Sequence, residues 1–197
     1  MVKFYTRKNN RLKHCDYTLN GYYYVTICTD GRKEWLGNVI NDQIQINLYG
    51  RICQQTWLDL PTHYNNLSID TFILMPNHIH GILIIDNFNK RVNPRGRVTN
   101  PPLQVNNNKS YSLSEIIRGF KTFSSKQINI TIKTGNKFKW QRSFHDHIIR
   151  NDKSLNNIRE YIINNPAAWA EDENNVNIHV GTGLQPVRYP NEKKISI

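Results

Sequence analysis

The chain is short of acidic residues, of sulfur and of long apolar runs. Asp and Glu number 15 against 26 Lys and Arg, a formal net charge of +11. That imbalance favours a polyanionic partner, nucleic acid first. The three cysteines, Cys15, Cys28 and Cys53, are odd in number and form no C-x-x-C pair. This excludes a disulfide framework and a thiolate zinc site and reads as free thiols in a reducing compartment. No apolar stretch approaches the roughly 20 residues that span a bilayer, and no signal peptide opens the chain. No long basic amphipathic helix stands out for a membrane surface. The expectation is a cytoplasmic, nucleoid-associated protein with no membrane partner.

What is present divides into segments. Residues 1–20 form a basic arm without periodicity, and residues 21–173 form the expected domain. A loop over 87–110, rich in Asn, Pro and Arg, interrupts that domain, and residues 174–197 read as a disordered tail. Tyr22–Cys28 predicts a strand, Gln43–Ile46 a short strand, and Leu48 to about Leu60 a helix closed before Pro61. Ser68–Ile85 predicts two strands broken at Pro76 and Asn77. Ser112 and Glu115 form a capping box for a second helix with an apolar stripe of Leu113, Ile116, Ile117, Phe120 and Phe123. Trp140–Arg150 reads as extended. Asn151 and Asp152 cap a third helix, with Leu155, Ile158 and Ile162 as its buried stripe and Pro166 as its stop. The order of elements predicts an α+β, ferredoxin-like split β-α-β plan: an antiparallel sheet with helices on one face, plus a C-terminal helix.

The chemistry gathers in two places. His78 and His80 start a strand two residues apart, so both point to one face while Ile79 points to the other. Two imidazoles converging in this way can hold one metal ion. An isolated His-x-His is more often a pair of unliganded histidines at a sheet edge. On the third helix, Tyr161 and Asn165 lie one turn apart on one face. An Asn carbonyl can complete a site built from two imidazoles. Tyr161 by itself reads equally well as a half-buried packing residue.

His78-Ile79-His80 within MPNHIHGI, then WQRSFHDHIIRN and IREYIINNPAAW, resembles the REP-associated tyrosine transposases, in the IS200-like, single-tyrosine branch of the HUH nucleases. YYYVTICTDGRKEWLG and SLSEIIRGFKTFSSKQIN resemble the same family, so the likeness runs from about Arg7 to Asp172 and omits the loop and the tail. It implies a ferredoxin-like core, a divalent cofactor (Mg²⁺ or Mn²⁺) and cleavage of single-stranded DNA near a hairpin, leaving a 5′-phosphotyrosine. By position, His78, His80 and Asn165 match the metal ligands and Tyr161 the nucleophile. His147 matches a recurring histidine of unassigned role. Many relatives carry aromatic residues where this chain has Phe144 and His145. Arg118, Lys121, Lys126, Arg142 and Arg150 are the basic residues expected near DNA. The partner implied is single-stranded or hairpin DNA, bound by a monomer or by a homodimer with exchanged helices.

Two other readings remain at this level. A domesticated relative would grip hairpin DNA without cutting it. A metal-dependent hydrolase of a small substrate would fit the His pair but not the charge. Outside the resemblance, Gly96–Pro102 and Thr182–Val187 can each be back-translated into an inverted repeat, as expected of palindromic repeats inserted in frame. Codon degeneracy is the competing explanation.

Overall fold

A computed structural model describes residues 19–88, 110–133, 135–172 and 174–175. Most of the basic arm, the long loop and the tail, with both back-translated segments and Cys15, lies outside the described residues.

The described residues form six strands: β1 (Gly21–Cys28), β2 (Gly37–Ile40), β3 (Gln43–Ile46), β4 (Leu67–Leu74), β5 (His78–Ile85) and β6 (His145–Ile149). Among the described residues four α-helices accompany them: α1 (Leu48–Leu58), α2 (Leu60–His63), α3 (Leu113–Thr131) and α4 (Asp152–Asn164). The main sheet has the order β4-β5-β1-β6 with antiparallel neighbours throughout. With α1–α2 between β1 and β4 and α3 between β5 and β6, this is the expected split β-α-β plan. β2 and β3 form a separate hairpin.

Local chemistry sets the boundaries. The Asn47 side chain accepts the Tyr49 and Gly50 amides to open α1. The expected capping box of Ser112 and Glu115 opens α3, and Asn151 accepts the Ser154 amide to open α4. Such caps are worth about 1 kcal/mol each. Pro61 does not merely follow a helix end. It sits in the first turn of α2, where its missing N–H goes unneeded.

The two faces of the sheet carry different loads. Tyr23, Val25, Ile27, Ile79 and Leu83 face a core shared with Trp57 of α1 and Ile116, Ile117 and Phe120 of α3. Gly81 belongs to this side, because a β-carbon there would lie 2.6 Å from the Trp57 ring. Phe123, expected in the α3 stripe, is 56% exposed and stacks instead on His63. The opposite face carries Tyr24, Ile82 and Ile149 under Leu155 and Ile162 of α4. The tyrosine-bearing helix therefore covers the face on which His78 and His80 lie.

Candidate metal and nucleophile site

Strand register assembles this site from separate segments. Cys28 pairs with His78 and Thr26 with His80 across β1 and β5, and Thr26 also pairs with His145 on β6. Residues paired across antiparallel strands share a face. His78 and His80 are fully buried, and their Nε2 atoms lie 2.9 Å apart.

The outer nitrogens are held separately. Asn77 Nδ2 donates to the carbonyls of Arg32 (2.9 Å) and Asn174 (2.7 Å), which fixes the orientation of its amide. Its Oδ1 can then only accept, so His78 Nδ1, at 2.8 Å, carries the proton and the Nε2 of neutral His78 is a bare lone pair. His80 Nδ1 meets two hydroxyls, Tyr24 at 2.7 Å and Thr26 at 2.9 Å. Hydroxyls can rotate to donate or accept, so His80 can donate from Nε2 to His78 or leave both Nε2 lone pairs free for a cation. Burial, then the Arg32 charge, lowers the His78 pKa to about 3. Burial, then His78, lowers that of His80. Both rings stay neutral near pH 7, the form that ligates metals.

A carboxylate completes the group. Ligand atoms of His78, His80 and Asp172 all lie within 4.8 Å of one another. Asn165 caps the end of α4 and is 1% exposed. Its Nδ2 donates to Asp172 Oδ2 at 3.2 Å, while its Oδ1 is buried with no hydrogen-bond partner among the described residues. For a divalent ion with ligands at about 2.1 Å in octahedral geometry, neighbouring ligand atoms stand roughly 3 Å apart, close to the spacing of the two Nε2 atoms. Two imidazole lone pairs, an amide oxygen with no hydrogen-bond partner among the described residues and the charge of a nearby carboxylate suit such an ion.

Tyr161 is half-buried, its ring centroid 5.4 Å from that of His80 and 6.5 Å from that of Tyr24. Trp169 stands 5.9 Å from the His78 ring. Thus His78, His80, Tyr161 and the segment carrying Asn165 meet on one side of the sheet.

The remaining expected residues lie elsewhere. His147 pairs with Tyr24 and shares its face, but it is exposed on edge strand β6. Partial desolvation, then Arg150, keeps its pKa below the ordinary histidine value. Arg118, Lys121 and Arg142 line one groove with Phe144, on the α3 side. Lys121 is engaged there, its Nζ donating to the carbonyls of Gln141 (3.0 Å) and Ser143 (2.8 Å). Lys126 is exposed further along α3, and Arg150 is exposed just after β6.

Sequence reasoning missed Asn77, Tyr24, Thr26 and Asp172. The first reads as a turn residue and the next two as strand formers. The strand register, once known, brings Tyr24 and Thr26 to the His80 face, whereas nothing in the spacing marks Asp172.

No family model matches the sequence. A solved structure of a REP-associated tyrosine transposase bound to a REP hairpin aligns with TM-score 0.50 and 18% identity, over 81% of this chain and 74% of that one. The fold is thus that of a REP-associated tyrosine transposase, as the resemblance implied. A Haemophilus influenzae protein is 36% identical over 171 residues, 85% of this chain and 92% of its own length. The chain belongs to the same family as that protein. No helix among the described residues is long and apolar enough to cross a membrane.

Proposed function

We propose that this chain is a metal-dependent single-stranded DNA endonuclease and strand transferase that acts near hairpin repeats through a 5′-phosphotyrosine. The observation that carries the reading is the meeting of the Tyr161 ring with His80, inside a buried group of metal-competent ligands. A divalent ion, Mg²⁺ or Mn²⁺, held by His78, His80 and Asn165, would supply positive charge to neutralise the scissile phosphate.

Tyr161 is the nucleophile. Its phenolic oxygen bonds to phosphorus and loses its proton, while the bond from phosphorus to the 3′ oxygen breaks and that oxygen leaves as a 3′-OH. The phosphotyrosine keeps the energy of the broken diester, so a second 3′-OH can reverse the step without ATP. Tyr24 and Thr26 orient His80, and Asn77 orients His78.

The partner is hairpin DNA with unpaired bases. Arg118 and Arg142, lining the groove beside Phe144, offer charge to the phosphates. Lys121, Lys126 and Arg150 add positive charge around them. The catalytic unit is residues 21–173, working on the nucleoid in the cytoplasm.

Labelled single strands carrying a hairpin, resolved on denaturing gels, test the reading. The expected result is a covalent protein–DNA adduct that disappears with chelator, returns with Mg²⁺ or Mn²⁺, and is absent from Tyr161→Phe while binding persists. An adduct formed by the Phe variant at the wild-type rate would sink the assignment. Hairpin binding with no adduct from the wild type would favour the domesticated binder.

A further inference from the structure

An amide side chain presents two chemically opposite ends, and its partner decides which end remains available. A carboxylate only accepts hydrogen bonds, so an Asn bonded to one must turn its nitrogen that way. Asp172 does this to Asn165: Oδ2 takes the Nδ2 hydrogen at 3.2 Å, and Asn165 Oδ1 is left buried with no partner among the described residues. The carboxylate is itself held in place. Its Oδ1 accepts the Asn174 amide at 2.6 Å, the Asn174 carbonyl accepts from Asn77 Nδ2 at 2.7 Å, and Asn77 Oδ1 accepts from His78 Nδ1 at 2.8 Å. The Asn165 amide is therefore tied through Asp172 to the histidine pair by a continuous run of hydrogen bonds.

We propose that Asp172 is a positioning residue of the metal centre, fixing the Asn165 amide so that its oxygen is free to bind the ion. This rests on the reading of the site as a metal centre. Charge supports it. Asp172 is 8% exposed, and its carboxylate lies within 4.8 Å of both ring nitrogens. A buried carboxylate is costly without a counter-charge, and a cation among these ligands supplies one. Replacing Asp172 by Asn keeps the volume but gives position 172 its own N–H₂ donor. Two amides then face each other, and the Asn165 amide is no longer forced to leave its oxygen free.

Calorimetric titration of the full chain with Mn²⁺ tests the role without reference to cleavage. Relative to wild type, Asp172→Asn and Asp172→Ala are expected to weaken Mn²⁺ binding roughly 10–100-fold, the range for partners that orient ligands. In an Asn165→Ala background, Asp172→Ala is expected to change affinity by no more than about twofold, because the group it positions is gone. Thermal unfolding of the isosteric Asn variant separates this effect from loss of fold. If Asp172→Ala does not fold, the Asn variant carries the test. Wild-type affinity in the folded Asn variant overturns the proposal. Full additivity with Asn165→Ala also overturns it and makes Asp172 an independent ligand. A wild type that binds no Mn²⁺ overturns the metal reading itself, and this role with it.

Discussion

Asn77 is a small residue on which the site depends. It donates to two backbone carbonyls and accepts from His78, so one side chain ties the turn before β5 to the Arg32 loop and to Asn174. Asn77→Ala leaves two carbonyls without their donor, at about 1–3 kcal/mol for each group left buried and unsatisfied. It also frees the tautomer of His78. The expected outcome is a lower melting temperature together with Mn²⁺ affinity reduced on the order of tenfold or more, read by thermal unfolding and calorimetry on one preparation. At this scale a motif in the sequence singled out His78, His80 and Tyr161, whose rings the fold brings together. The sequence was silent on Asn77, Tyr24, Thr26 and Asp172. These touch the histidines, or Asn165, through register or through a turn, and no local spacing encodes such contacts.

Elements were more legible than residues. β3, the strand pair around His78, the α3 capping box and the α4 stripe follow from periodicity and caps. β2 was missed because four residues opening on Gly37 carry too short an alternation to detect. The docking of α4 was also hidden. Arg159 on α4 grips Asp70 of β4 with two nitrogens, one of them 2.8 Å from Oδ1, across 89 residues of sequence. The β4 register shifts between Ile69 and Phe72, and such an irregularity can re-aim a side chain, here Asp70. The Arg159 hydrogen bonds hold the Asp70 carboxyl below the usual carboxylate range, against the opposing pull of burial. A depressed carboxylate adds stability above its unfolded pKa of about 3.9 and loses it as pH falls through the lower folded value. Asp70→Asn is expected to destabilise by about 1 kcal/mol at neutral pH, a partly screened pair. The difference from wild type should shrink once the pH passes below the folded pKa. Chemical unfolding across that range measures both.

Over the whole molecule the two faces of one sheet are assigned different work. The face under α4 holds the buried histidine pair and Tyr161, and the α3 side holds the groove with Arg118 and Arg142. The sequence supplied the inventory for both but not their separation, which depends on the alternation of β1 and β5 and on the side from which each helix packs. Because Tyr161 meets the His80 of its own chain, mixing His80→Ala with Tyr161→Phe is expected to restore no adduct. Recovery of the adduct in the mixture would mean that the helices exchange between copies. Under the proposed mechanism, one nucleophile and one ligand set in a single polypeptide set the stoichiometry. Each copy would then hold one DNA end at a time, and adduct is expected to saturate at one per chain. Freeing a segment bounded by two cuts then takes two copies, or one copy that completes its first exchange before it begins the second.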